Sequence, residues 1–336
     1  MAVRLKDIAA DLGVSTVTVS KVLRGGMDIS ERTRVRVLKR MRELNYQPNM
    51  QARGLASGRT FTAGLVVPDL VHPFFGEVAR SLAVSLRESG IALMLASSEE
   101  DPALEQQEIR TLLQRGVDVL LVASCQRLDE KHPFFGDGSK PFVLVDRNFK
   151  RLGASFVGSD DIKVGEIATR HLILLGRRRI AHIASDGMSP SVDRLKGYAR
   201  ALSTAKLRTP RNYVVICNRM EESGDAAGYQ AMQELLARKP RPDAVFCYND
   251  LSAIGAMKAT LEAGLRIPED IAFVGCGNLR YAEYLRVPLS SVDHSPLRMG
   301  AAAAKLALEL AASPHMPARS LLLEPKLIVR RSSVAG

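Results

Sequence analysis

Cysteine is scarce in this chain and scattered. Cys125, Cys217, Cys247 and Cys276 are the only four in 336 residues, and none shares the paired spacing of a zinc site or a redox dithiol. The six histidines form no ligand cluster either, so no metal is expected, and His72, His182 and His294 read as ordinary polar or core residues. No apolar run approaches a membrane span, and charge begins at Arg4, before an export segment can form. A reduced, cytoplasmic location suits these absences, with no membrane partner. Enzyme signatures are missing as well. There is no phosphate loop, no serine elbow and no dinucleotide-binding glycine motif, and Gly-Cys-Gly at 275–277 is too short to stand for one. No cofactor is expected, and the chain reads as a binding protein rather than an enzyme.

Positive charge, by contrast, is in excess. The formal net charge is +11, and residues 1–59 hold twelve Lys and Arg against five Asp and Glu, so +7 lies in that stretch and +4 in the rest. A basic arm of this kind displaces counterions from phosphates and gives salt-sensitive affinity for nucleic acid.

Within that arm, residues 3–23 read as two short helices joined by a tight turn. Ile8, Ala9 and Leu12 form the apolar stripe of the first, and Val14, Val19 and Val22 that of the second. Gly13 sits where the chain must turn through a left-handed conformation, and Ser15 is placed to cap the second helix. Helix, glycine turn and capped helix make the helix-turn-helix pattern, whose second helix enters the DNA major groove. Taken alone, these residues also suit an ordinary helical hairpin. Ser30 opens a third helix in which Val35, Leu38, Met41 and Leu44 make a core-facing stripe. Arg32, Arg34, Arg36, Lys39, Arg40 and Arg42 occupy its other faces.

Residues 47–60 are polar and broken by Pro48, Gly54 and Gly58, as a linker is, yet Pro48 stands at a helix-start position and 49–55 spans about two turns. This run resembles the hinge helix of the LacI/GalR family of bacterial transcription regulators. The resemblance extends nearly end to end: KDIAADLGVSTVTVSKVLRG, GLVVPDLVHPFFGEVARSL, HLILLGRRRIAHI, RLKGY, PDAVFCYNDLSAIGAMKA and IPEDIAFVG stand in the family's order. It implies that Thr16, Val17 and Lys21 face base edges, while Ser15, Thr18 and Tyr46 fix the docking angle on phosphates. It also implies that Leu55 wedges into a central minor-groove step, with Arg53 and Asn49 contacting DNA from the same hinge. Two hinges meeting there call for a near-palindromic double-stranded operator and a homodimer. Three positions depart from the family pattern. Arg4 replaces a capping Thr, Arg24 replaces a common Asn and can reach phosphate, and Gly54 disfavours the hinge helix by about 1 kcal/mol relative to Ala.

From Phe61 onward, short apolar runs alternate with amphipathic helices. The runs lie at 64–68, 91–97, 117–123, 142–146, 155–159, 179–185, 213–217, 243–248 and 271–275. Continuous hydrophobicity marks strands buried on both faces of a parallel sheet, and so much chain calls for two such sheets. The expected fold is an α/β core of two doubly wound parallel-sheet subdomains, like a type I periplasmic binding protein, preceded by an all-α helix-turn-helix domain. Residues 1–46 form the headpiece, 47–60 the hinge and linker, 61–330 the core and 331–336 a tail. Within the core, one lobe takes about 61–158 and 293–320, the other about 159–290 and 321–330.

Open parallel sheets bind ligands beyond their strand C-terminal ends. Those ends carry Asp69, His72, Phe74, Phe75 and Asp146 in one lobe, and the resemblance implies that Arg194 and Asn249 of the other face a small effector, sugar or sugar-like, held between them. Phe74 and Phe75 also suit a helix core, Asp146 a solvated strand end, and Asp250 a cap for a helix starting at Leu251. Gly277 stands where the family commonly places an aspartate that grips hydroxyls, so the usual sugar grip is incomplete. Two readings remain: an effector-controlled repressor, or a regulator that binds DNA without effector control. On helix 74–89, Val78, Leu82 and Leu86 suit either a subunit interface or core packing.

Overall fold

The computed structural model describes residues 3–23, 26, 28–46, 54, 58–128, 135, 138, 140–208, 211–220 and 223–334. The chain divides into two compact units, Met1–Thr60 and Phe61–Gly336. Among the described residues no helix is long and apolar enough to cross a membrane.

Among the described residues the first unit is built on α1 (Leu5–Leu12), α2 (Thr16–Leu23) and α3 (Glu31–Glu43). Ile8, Ala9, Val19, Val22, Val37 and Met41 are buried together, with Leu12, Val14 and Leu44 packed against them. Gly13 takes the left-handed conformation, φ 63°, and its N–H donates to the Ala10 carbonyl at 3.2 Å. Arg4 offers no acceptor to cap α1, but the Asp7 carboxylate accepts the Arg4 N–H at 2.8 Å. The third helix corrects the expected stripe. Val35 is 52% exposed and Leu38 40%, whereas Val37 is fully buried. Stripes through 35/38/41/44 and 37/41/44 share Met41 and Leu44, and contact with α1 and α2 selects the second. Part of the basic face is also spent on the fold. Arg34 donates to the Gly26 carbonyl at 2.6 Å, Arg36 to the Leu12 carbonyl at 3.1 Å, and Arg40 pairs with Asp11 at 2.6 Å.

The second unit holds two six-stranded sheets, in the orders β11-β5-β4-β3-β1-β2 and β12-β10-β9-β8-β6-β7. The first is β1 (Thr62–Val67), β2 (Ala92–Ser97), β3 (Val119–Val122), β4 (Phe142–Val145), β5 (Ser155–Ser159) and β11 (Ser320–Leu323). The second is β6 (Ile180–Ser185), β7 (Val214–Cys217), β8 (Ala244–Cys247), β9 (Ala272–Cys276), β10 (Ser290–Asp293) and β12 (Lys326–Ile328). Among the described residues every pairing is parallel except β10 with β12. All nine apolar runs are strands. The central ones are buried on both faces, but β2 and β7 stand at sheet edges and are partly exposed. Helices α4 (Pro73–Glu88), α5 (Pro102–Gln114) and α10 (Pro296–Ala312) accompany the first sheet. With the second go α6 (Asp161–Leu174), α7 (Ser189–Thr204), α8 (Gly224–Leu236) and α9 (Asp250–Glu262). Val78, Leu82 and Leu86 of α4 pack in the first core beside Met299 and Ala303 of α10, so they belong to the interior.

Two expected boundaries shift. Because β11 pairs with β5 by parallel hydrogen bonds, the first lobe keeps its C-terminal share as far as Leu323, past the expected 320. The expected tail also begins too early. Ser332 and Ser333 are buried, and Ser332 Oγ accepts the Ser290 N–H at 2.7 Å and donates to the Phe273 carbonyl at 2.8 Å.

Candidate DNA-reading helix and ligand cleft

The start of α2 is fixed by its own side chains. Ser15 Oγ accepts the Thr18 N–H at 3.0 Å and lies 2.9 Å from Thr18 Oγ1, so capping serine and first-turn threonine are locked together. Beyond this cap, Thr16 is exposed and Val17 is 59% exposed. A β-branched apolar residue facing water on a short helix contributes nothing to the headpiece core. Lys21 is half-exposed and paired with Asp28, so its ammonium must exchange that carboxylate for any base it meets. Tyr46 packs against the headpiece core, where burial raises its hydroxyl pKa. Arg24, Asn49, Arg53 and Leu55 lie outside the described residues.

In the second unit, the strand C-terminal ends of the two sheets face each other across a cleft closed by direct contacts. Arg127 pairs with Asp186, and the Leu128 N–H donates to the Gly187 carbonyl at 3.1 Å. The Asn148 N–H donates to Ser189 Oγ at 2.8 Å, and Arg219 to the Glu99 carbonyl at 3.3 Å. Arg194 is buried: Nε donates to Asp161 at 2.8 Å and Nη1 to the Tyr248 carbonyl at 2.7 Å. Burial raises the Asp161 carboxyl pKa, and the guanidinium opposes that rise. Asn249 Oδ1 accepts the Ser252 N–H at 2.9 Å, while Nδ2 donates to the Met220 carbonyl at 3.1 Å and meets His72 Nε2 of the facing lobe at 3.4 Å. Phe74 stacks on His294, centroids 4.4 Å apart, and touches Phe75 edge-on at 5.0 Å. Burial holds the His294 imidazole pKa well below its usual value, so the ring is neutral. Four cysteines are free thiols, and burial pushes Cys125 and Cys276 up to about 12, which removes them as nucleophiles. No group of three metal-ligating side chains comes together among the described residues.

Comparison with known proteins follows the same division. Residues 4–49 match the profile of bacterial regulatory proteins of the lacI family, and residues 169–333 that of a periplasmic binding protein-like domain. The ribose operon repressor of Haemophilus influenzae is 34% identical over 330 residues, covering 98% of each chain. The chain belongs to the LacI family. GalR of Escherichia coli is 34% identical over 98% of this chain and 95% of its own. Among solved structures, a transcriptional regulator CelR–cellobiose complex covers 98% of this chain at 32% identity, 99% of its own length and a TM-score of 0.73. The LacI family consists of transcription regulators, not enzymes, and this chain is a helix-turn-helix DNA-binding member.

Within this LacI-family core, the expected cleft residues are brought together with altered duties. Asn249, not Asp250, caps α9, which starts one residue earlier than expected. Asp250 instead accepts the Leu279 N–H at 2.8 Å and the Ser291 hydroxyl at 2.6 Å, and burial pushes its pKa up to about 6. Gly277 has φ 131°, a conformation other residues rarely adopt, so its lack of a carboxylate is built into the backbone. Asp146 is buried, not a solvated strand end. Phe74 and Phe75 are buried in the first-lobe core and also border the cleft contacts of His294 and Arg147. Sequence reasoning missed two side chains, Arg147 and His294. Arg147 is 1% exposed, donates to the Ser124 carbonyl at 2.9 Å and approaches Met188 Sδ across the cleft at 3.8 Å. Its position just beyond β4, next to Asp146, was the available signal. His294, read as an ordinary residue, stands at the cleft on Phe74, and His72 stands there at the end of the first strand, against Asn249. His294 follows β10, whose SSVD sequence is too polar to read as a strand. His182 is a core residue, stacked on Phe246 at 4.6 Å.

Proposed function

We propose that this chain is a repressor that binds a near-palindromic operator as a homodimer, with affinity set by a small polar effector, sugar or sugar-like, between the lobes. It acts in the cytoplasm. The observation that carries the DNA reading is the exposed Thr16–Val17 pair on a helix whose cap is locked by Ser15 and Thr18. Thr16 offers a hydroxyl and a methyl, Val17 an apolar contact for a thymine methyl, and Lys21 a donor for guanine. Ser15, Thr18, Arg24 and Tyr46 hold phosphates. Asn49, Arg53 and Leu55 act from the hinge, Leu55 as the wedge. Ligand exchanged for the direct cleft contacts changes the angle between the lobes, and hence the spacing of two headpieces.

Selection of bound fragments from a random-sequence DNA pool tests this: an inverted repeat is expected, and an unsymmetrical or absent consensus overturns it. Leu55→Ala should weaken operator binding far more than binding to random duplex, and equal losses refute the wedge. The cellobiose complex of CelR makes sugars the first class to screen. Arg194, Asn249, Asp146, Phe74 and Phe75 are the proposed contacts, with Gly277 leaving room in place of a carboxylate. Regulation without an effector is the second reading, favoured by Gly277 and by the direct lobe-to-lobe contacts. Thermal-shift screening of the full chain against sugars and sugar acids separates the two.

A further inference from the structure

The second lobe carries a basic pole that neither the helix-turn-helix unit nor the cleft uses. Four helix-to-strand connections, 175–179, 205–213, 237–243 and 263–271, lead into β6, β7, β8 and β9, which lie side by side in one sheet. Chain direction brings all four to the strand N-terminal edge, the edge away from the cleft. They contain ten Lys and Arg against three Asp and Glu, a net of +7, whereas all of Phe61–Gly336 is only +4, so the remainder is −3. The loops are tied to one another. Arg177 donates to the Pro268 and Glu269 carbonyls at 2.5 and 3.2 Å, Arg179 to the Arg241 carbonyl at 2.7 Å, and the Tyr213 hydroxyl to the Pro240 carbonyl at 2.5 Å. Two of the three acids are committed: Asp243 accepts the Arg179 N–H at 2.9 Å, and Asp270 pairs with Arg266 at 3.2 Å. Arg178, Lys206, Arg208, Lys239 and Arg241 remain exposed, with no side-chain hydrogen bond or ion pair among the described residues. Apart from Arg241, whose charge helps hold the Asp270 carboxyl pKa down, these like charges oppose the compact state by self-repulsion.

We propose that this pole binds the phosphates of duplex DNA without sequence preference, so that a molecule seated on its operator also holds a second duplex segment. Arginine dominates the set, and its planar fork matches phosphate oxygens. The connections expose no aromatic side chain among the described residues, and a stable protein interface would need such anchors. A regulator already bound to DNA meets further duplex at high effective concentration, so weak contacts suffice.

The test uses full-length protein. A headpiece variant, Thr16→Glu with Val17→Glu, removes specific reading, and a pole variant carries Arg178→Ala, Arg208→Ala, Lys239→Ala and Arg241→Ala. By fluorescence anisotropy, the headpiece variant should still bind a random duplex of about 20 base pairs, about 100-fold more weakly in roughly 200 mM than in 50 mM salt, as about four phosphate contacts require. Adding the pole substitutions should cost at least about tenfold more. On beads carrying one duplex, the parent protein should capture a second, labelled duplex; the pole variant should lose most of that capture while binding the bead duplex as before. A headpiece variant with no affinity for DNA in low salt overturns the proposal. So does a combined variant that binds as well as the headpiece variant, and so does equal affinity for polyglutamate, which would make the partner an acidic protein.

Discussion

Replacing Gly197 by Ala places one methyl where α6 and α7 touch. The new Cβ would lie 2.0 Å from the Ile162 carbonyl oxygen and 2.8 Å from the Glu166 nitrogen. The first distance is roughly 1.5 Å inside ordinary contact. Both neighbours are backbone atoms, so no rotamer change relieves the overlap and the helices must part. The contact is reciprocal, since a Cβ on Gly165 would lie 2.1 Å from the Arg194 carbonyl oxygen. Separation would open the layer of Val164, Ala168, Leu172, Tyr198 and Leu202, which is buried against the second sheet. Overpacking costs about 1–3 kcal/mol, and a backbone-to-backbone clash belongs at the upper end or beyond. Better helix propensity returns about 1 kcal/mol, so a net loss of about 2 kcal/mol is expected. Arg194 sits one turn before Gly197, so the shift also disturbs its bonds to Asp161 and Tyr248. Urea unfolding of the full chain measures the loss, with exposed Ser203→Ala on the same helix as control. A Gly197→Ala protein within about 0.5 kcal/mol of the parent refutes the close approach, because surface changes fall in that range.

Acid should weaken the core through buried histidine. His182 is pushed down to about 4, chiefly by burial, and its Nε2 has no partner among the described residues. Its folded value lies below the unfolded one, so its stabilising share is complete above about 6.5 and is lost as pH falls toward 4, on the order of 3 kcal/mol. His182→Phe should flatten that part of the stability profile, and an unchanged slope counts against it. Arg194→Met should cost about 3–5 kcal/mol by leaving Asp161 buried without its cation, and Asp161→Asn in the same chain should recover much of it. Double-mutant unfolding energies that simply add would rule out the pair as a unit.

The nine apolar runs were legible because a strand buried on both faces must be hydrophobic throughout, and the headpiece because cap, glycine and stripe are local in sequence. β10, β11 and β12 were not: β11 is apolar but lies exposed at a sheet edge, β12 is only three residues long, and β10 is polar. SSVD is polar and buried only because Asp250, Arg330 and Ser333 satisfy its serines from more than thirty residues away. Losing β10 also lost His294. The Val35 stripe failed because two helical faces shared Met41 and Leu44, and only contact with α1 and α2 separates them.

Sequence alone determined the kind of protein: capped helices with an exposed apolar–polar pair, a basic arm, and strands dry enough for two parallel sheets. These follow from neighbours within a few residues, where backbone geometry and burial leave a direct imprint. Tertiary structure decided who partners whom. Arg194 is spent on Asp161, Asn249 caps a helix, Arg147 fills the space between lobes, and four separate connections gather into one basic edge. Those outcomes depend on strand order and helix contact between distant segments, which no local pattern encodes.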